Sequence, residues 1–422
     1  MNNSTDNRVF QAFEHASYNT KNEGVEGKIL PPELFEALKK YAGDKELRYY
    51  SITANGIKFR QFVGAIQIGK YCIEVLPKVD RSKNEGSAHR ILIEMLRQTG
   101  YLRVKTPTES SLRIKRNFIL ETYLQMFIEE TWQLIHNGLL KSYRSTSENQ
   151  NALKGSLMFN KHILKNNVHA ERFYVRHTTF DREHPLNKVL YKTLQLISRF
   201  QVNQELIAES KRQLICFPEL PDINVSEDFF DRINWNRKTE AYQKAIAIAR
   251  LLILNYHPDL SHGKNNVLAL MFDMNDVWER WVTKQLTRAA KITDINISIR
   301  PQTKKVFWKS YTGVKISQKP DIIIEIDNKP VFILDTKWKL VHERPSEDDI
   351  RQMFAYNKLF GTQQAYLVYP GRNTSANGEF FEPTENGKCG LRFLNFVEDG
   401  RIRTEEVGGF LGEMVVAFTL FA

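Results

Sequence analysis

The stretch QKPDIIIEIDNKPVFILDTKWKL, Gln318 to Leu340, constrains the chain more than any other. Two apolar runs flank a short polar break, the pattern of two strands and a turn. A three-residue turn at Asp327, Asn328 and Lys329 sets Asp321 directly opposite Asp335. Side chains alternate along a strand, so Lys337 joins both aspartates on one face. The other face collects Ile322, Ile324, Ile326, Phe332, Leu334 and Trp338, an apolar surface suited to a helix. The acidic face is then the exposed or cleft face. A two- or four-residue loop would break the alignment.

Directly opposed carboxylates lie roughly 5 Å apart at Cβ and repel one another. A divalent cation between them removes the conflict, and hard Mg²⁺ takes one or two carboxylates while water and phosphate fill its other positions. Lys337 is placed to hold the attacking water or to neutralise charge on a pentacovalent phosphorus. Two carboxylates and an ammonium on one strand face suit phosphodiester hydrolysis, with Asp321 and Asp335 as metal ligands. The competing reading is a solvated, partly salt-bridged face, since such short motifs recur by chance.

Two neighbouring segments add candidates. In the helical stretch DVWERWV, Glu279 is a third carboxylate able to reach the metal, or else a surface residue at a helix start. After the hairpin, Ser346 and Asp349 form a capping-box pattern, and Gln352 and Tyr356 fall at i and i+4 on one helix face. There they could bond a phosphate or orient the lysine.

At 422 residues the chain is long enough for two or three domains. Residues 28–85 read as the helix PPELFEALKKYA followed by alternating strands, with Asn55-Gly56 and Gly69-Lys70 at hairpin turns. The polar stretch 79–87 reads as a linker. From Ala88 to about Leu260 apolar residues recur at helical spacing, and SHGKNN from Ser261 ends that run. Beyond it the order is helix, three or four strands, helix, strand, a sheet sandwiched by helices. The expected fold class is multidomain α+β: a β-rich N-terminal module (1–85), a helical middle domain (86–262) and a C-terminal α/β domain (263–422).

Sixty Lys and Arg against forty-nine Asp and Glu leave a net charge of +11, which favours polyanionic partners but also serves solubility. No secretory leader or membrane span is evident, and a cytoplasmic protein is expected. Cys72, Cys216 and Cys389 are odd in number and widely spaced, so they are expected reduced and mostly buried. The histidines show no metal-ligand spacing; His177 reads as a loop residue and His184 as a helix-start residue. The basic run LRVKTPTESSLRIKRN from Leu102 suggests phosphate contacts or a solvated face.

The set Glu279, Pro320-Asp321, Asp335-Thr336-Lys337 and Gln352-x-x-x-Tyr356 resembles the PD-(D/E)XK nuclease superfamily, in the variant whose last helix carries Q-x-x-x-Y. With FVGAIQIGKYCIEVLPKV, ALKGSLMF, HTTFDREHPLNKVLYKTL, LMFDMNDVWERWV and DDIRQMFAYN, roughly residues 50 to 370 resemble the McrC family, the nuclease subunits of McrBC-type modification-dependent restriction systems. Thr336 stands where many members have a small residue, and Trp338 where tyrosine is frequent. The resemblance implies a PD-(D/E)XK nuclease domain at 263–422 and Mg²⁺-dependent DNA cleavage, with Mn²⁺ a possible substitute. It also implies an AAA+ GTPase partner, McrB, whose hydrolysis such a subunit stimulates. No G-x-x-x-x-G-K-[ST] occurs, so the chain itself is not expected to bind nucleotide. The N-terminal module, with Lys58, Arg60, Lys70 and Lys78, is expected to touch the partner or DNA, with Arg60 a candidate to act in trans on the partner's nucleotide. The alternatives are a self-sufficient nuclease on the same scaffold and a catalytically silent DNA-binding or ring-activating adaptor.

Overall fold

The computed structural model describes residues 9–23, 27–42, 48–78, 85–101, 119–169, 171–200, 203–257, 266–339, 344–381 and 387–421. The basic run from Leu102, most of the linker at 79–87 and most of SHGKNN lie outside the described residues. The chain is mixed α/β and divides into two compact units: residues 1–65, 73–116 and 271–422, and residues 66–72 and 117–270. The first unit joins residues of the anticipated N-terminal module to those of the anticipated C-terminal domain.

At the centre of the first unit is a six-stranded mixed sheet in the order Ile297–Pro301, Ile322–Ile326, Lys329–Thr336, Gln364–Pro370, Lys388–Leu394, Ala376–Glu379. The first three strands are antiparallel, the third to fifth parallel, and the last edge antiparallel. Parallel neighbours require a crossover. The helix Glu347–Phe360 supplies it between the third and fourth strands. Ser346 caps that helix, its Oγ accepting from the Asp349 N–H at 3.2 Å, and Gly361 ends it at φ 72°.

Each face of the sheet is covered according to its side chains. Ile333, Ala365, Leu367, Tyr369 and Cys389 pack with Met353 and Tyr356 of the crossover helix. The helix Met274–Ala290 buries Trp278 and Trp281 completely, stacked at 5.4 Å between ring centroids. The Trp278 indole donates to the Val368 carbonyl at 3.2 Å, and Trp338 and Phe396 complete the aromatic cluster. The two strands of the sheet beyond Pro370, Ala376–Glu379 and Lys388–Leu394, and the closing helix Glu405–Phe421 were not anticipated from sequence.

Two strands precede the anticipated helix of the N-terminal module. Val9–Phe13 and Ser17–Asn19 are strands, and the latter pairs with Gly56–Phe59, which pairs with Tyr50–Thr53. Thr53 pairs with Gly56, so the turn is Ala54-Asn55 and Gly56 begins the strand. A Cβ on Gly56 would lie 2.0 Å from the Tyr18 carbonyl oxygen, which restricts the position to glycine. Glu14, fully buried, accepts from the Trp338 indole at 2.7 Å and from the Lys78 N–H at 3.0 Å through the same oxygen. Helix Glu85–Thr99 joins the same unit: Gln98 Oε1 accepts from Trp281 Nε1 at 2.7 Å and Gln285 Nε2 at 2.9 Å.

The second unit contains the helices Ile119–His136, Pro185–Ile197 and Gln243–Leu254, read from their apolar spacing, and also Gln204–Ile215, which no segment had singled out. It also holds a nine-residue antiparallel pair, Ser142–Gln150 with Phe173–Asp181, inside the region expected to be helical. SYRSTSENQ has no apolar face, so periodicity could not reveal it. His184 caps the Pro185–Ile197 helix by accepting from the Leu186 N–H at 3.2 Å, whereas His177 is a buried strand residue rather than a loop residue. Of the cysteines only Cys389 is buried; Cys72 is intermediate and Cys216 exposed, which corrects the expectation that most are buried. Among the described residues, no helix is long and apolar enough to cross a membrane.

Candidate active site

The hairpin brings Asp321 and Asp335 together by a different route from the one expected. Its turn has two residues, Asp327 and Asn328, at φ 50° and 63°. Those values suit the tight turn that matches strand twist, and Asn and Asp tolerate them. Glu325 then pairs with Pro330 while Ile324 pairs with Phe332, so Val331 is skipped as a bulge. Beyond the bulge Ile322 faces Leu334. The extra residue in the strand replaces the extra residue of the longer turn, and the register at the site end is the expected one.

The acidic face is not open. Asp335 is 2% exposed, and Ile333 on the same face lies wholly under the crossover helix. Asp321 Oδ2 accepts from the Thr336 N–H at 2.7 Å and the Thr336 hydroxyl at 2.8 Å. Lys337 Nζ lies 2.7 Å from Asp335 Oδ2 and 3.5 Å from Asp349 Oδ1, and it donates to Gln352 Oε1 at 3.2 Å. Gln352 Nε2 donates to the Tyr356 hydroxyl at 2.7 Å, which donates to the Lys319 carbonyl at 3.2 Å. The two helix residues therefore fix the lysine and tie it to the residue two before Asp321. Glu279, half-buried, accepts from Gln302 Nε2 at 2.5 Å.

Electrostatics binds the three carboxylates more tightly than contacts do. Burial, then the charge of Asp321, raises the Asp335 carboxyl to about 6 against the pull of Lys337. Burial, then Asp321, raises Glu279 to about 7. Asp321 itself is raised by burial despite its bonds to Thr336. Burial lowers Lys337, but Asp335, Asp349 and Asp321 outweigh it and raise the ammonium above its ordinary value. Three carboxylates that resist ionising together are a donor set suited to a hard cation. Among the described residues, however, no group of three His, Cys, Asp or Glu is already gathered to hold one. Asp321 Oδ2 is directed instead to Thr336, while the buried Asp335 Oδ2 has the Lys337 ammonium in ion-pair contact but no aligned hydrogen bond.

Three partners escaped the sequence reading. Thr336 was noted only as a residue between Asp335 and Lys337, although its hydroxyl is a donor within reach of the opposite strand. Asp349 was read as a capping-box acid, yet its carboxylate faces Lys337 and, at 3.1 Å, Lys339. Gln302, which holds Glu279 and also bonds Lys319, carried no motif signal. Arg60 lies half-buried between Gly56–Phe59 and Phe62–Ile68, its N–H bonded to the Tyr49 carbonyl at 2.9 Å.

Comparison with known proteins adds context to this geometry. The family described as McrBC 5-methylcytosine restriction system component matches residues 57–370. The chain is similar to a chain of the refined half-complex from a tetradecameric assembly of Thermococcus gammatolerans McrB AAA+ hexamers with bound McrC. That match has a TM-score of 0.70 at 18% identity and covers 96% of this chain and 100% of that one. A chain of the Thermococcus gammatolerans McrBC complex, solved by cryo-electron microscopy, is similar at a TM-score of 0.51 and 18% identity, over 67% of this chain and 88% of that one. At such identity these likenesses show a shared fold. No curated protein matches the sequence. With a family match over residues 57–370, which include Asp321, Asp335 and the crossover helix beside them, the chain belongs to the McrBC 5-methylcytosine restriction system component family.

Proposed function

We propose that the chain is the Mg²⁺-dependent DNA endonuclease subunit of a McrBC-like restriction system in the cytoplasm. It would cleave modified DNA together with a McrB-like AAA+ GTPase ring whose hydrolysis it stimulates. The observation that carries this reading is the buried Asp335, ionising late beside Asp321 and paired to a lysine that Gln352 and Tyr356 hold in place. The same set supports a PD-(D/E)XK nuclease domain within 263–422. A structural ion pair would need neither a second opposed carboxylate nor a helix-borne amide on its lysine.

Asp321 and Asp335 would hold Mg²⁺, or Mn²⁺ in its place, with Glu279 contributing from its helix; the ion would supply Lewis-acid stabilisation at the scissile phosphate. Thr336 keeps Asp321 oriented through two donors. Lys337 carries a full positive charge at neutral pH and is placed to orient water or balance charge on phosphorus. Gln352 and Tyr356 restrict the lysine to that position. Arg60 is the residue proposed to face the partner's nucleotide.

The adaptor reading has one observation in its favour, the lack of a ready three-acid cluster among the described residues. Cleavage of methylated and unmethylated duplexes, with and without the GTPase ring and GTP, separates the alternatives. Mg²⁺-dependent cutting that needs ring and GTP supports the subunit. Cutting by the chain alone makes it a self-sufficient nuclease, and stimulation of GTP turnover without any cutting makes it an adaptor.

A further inference from the structure

The hairpin of Lys305–Lys309 and Lys315–Gln318 has no evident reason to exist as a structural element. Trp308 pairs with Ile316 and Lys309 with Lys315, yet every residue of the first strand is exposed and so are most of the second. An isolated two-stranded ribbon with no buried face is marginal in water. This one presents Phe307 at 53%, Trp308 at 49% and Ile316 at 53% exposure, and Tyr311 fully exposed at its tip. Exposed apolar patches of this kind mark interaction sites. The tip is nonetheless ordered: Val314 N–H donates to Ser310 Oγ at 2.9 Å, Ser310 N–H to the Val314 carbonyl at 2.8 Å, and Gly313 takes φ 92°.

Charge decides what it meets. From Pro301 to Pro320 the sequence carries Lys304, Lys305, Lys309, Lys315 and Lys319 and no Asp or Glu. Lysines interleaved with aromatic rings match duplex DNA, with phosphates for the ammonium groups and sugars and thymine methyl groups for the rings. A two-stranded ribbon is also a shape the major groove of duplex DNA admits. The placement fits a substrate contact. Only Lys319 and Pro320 separate the ribbon from Asp321, and Lys305 anchors its base to the crossover helix by donating to the Leu359 carbonyl at 2.6 Å.

We infer that this hairpin is a DNA-gripping wing that holds the duplex flanking the scissile phosphate. The inference rests on the nuclease reading above for the location of that phosphate. Binding of the full-length chain to a short fluorescent duplex is measured in EDTA over a series of salt concentrations, so cleavage plays no part. Replacing Lys304, Lys309 and Lys315 by Gln should reduce the slope of log affinity against log salt by about 2 to 3. Replacing Trp308 and Tyr311 by Ala should weaken binding about tenfold with the slope unchanged. All five side chains are exposed, so thermal melting should not move.

Unchanged affinity and slope in both variants would overturn the inference. Normal DNA binding with lost affinity for the GTPase ring would overturn it too, and would make the hairpin a protein-docking element. Hairpin-dependent binding by a wild-type chain that never cuts with Mg²⁺, ring and GTP would uphold the wing and refute the nuclease reading instead.

Discussion

Asp335 concentrates the chemistry of the site in one residue. Its carboxyl is raised to about 6, so between pH 4 and pH 6 the folded chain holds a proton that the unfolded chain has released. Stability therefore falls as pH rises through that window, and the penalty is complete above it. Asp335→Asn removes the penalty while keeping an oxygen for Lys337. In EDTA it should raise stability by on the order of 1–2 kcal/mol at pH 8 and by nothing near pH 4, measured by urea unfolding at both values. Equal effects at the two pH values would contradict the raised pKa. Lys337 has the complementary role. Lys337→Ala should cut the cleavage rate about a hundredfold or more while leaving divalent-cation affinity, followed by calorimetric titration, nearly unchanged. A variant that loses cation affinity yet cuts normally at saturating Mg²⁺ would refute the assignment.

The hairpin shows at the scale of an element what a sequence can and cannot reveal. Alternation of Ile322, Ile324, Phe332 and Leu334 against Asp321, Asp335 and Lys337 made both strands and their register legible. The compensation behind that register was not, because a two-residue turn with a bulge and a three-residue turn without one give the same pairing at the far end. The cover on the acidic face was equally hidden: which helix lies over Ile333 is a tertiary fact that strand periodicity does not contain. Gln352 and Tyr356 were readable as one helix face, but their bonds to Lys337 and Lys319 needed the crossover to be folded. The register account is testable by deleting Val331: the hairpin becomes regular, Ile324 still faces Phe332 and Asp335 still faces Asp321, so much of the cleavage activity should persist. Loss of cleavage in a folded deletion variant would refute the assignment of Val331 as the unpaired residue.

Over the whole molecule, the N-terminal strands belong to the unit that contains the site. Glu14 is buried against the Trp338 indole, and Met274 N–H bonds the Gln61 carbonyl at 3.0 Å. Removing residues 1–78 strips the acceptor from a buried indole and uncovers the aromatic cluster under the sheet, so residues 79–422 should melt many degrees lower or fail to fold. An unchanged melting temperature would show that those contacts are dispensable. The composition and segment order announced a multidomain α+β chain. They could not announce this return of the N-terminus to the C-terminal sheet, because contacts between distant segments leave no periodic trace. The role of Asp335 is tested most directly by one measurement: Mg²⁺-dependent cleavage of a methylated duplex by wild type and Asp335→Asn, each with the GTPase ring and GTP. The expected result is cutting by wild type and none by the folded variant, while both stimulate GTP turnover equally; cleavage by Asp335→Asn at the wild-type rate would place the chemistry elsewhere.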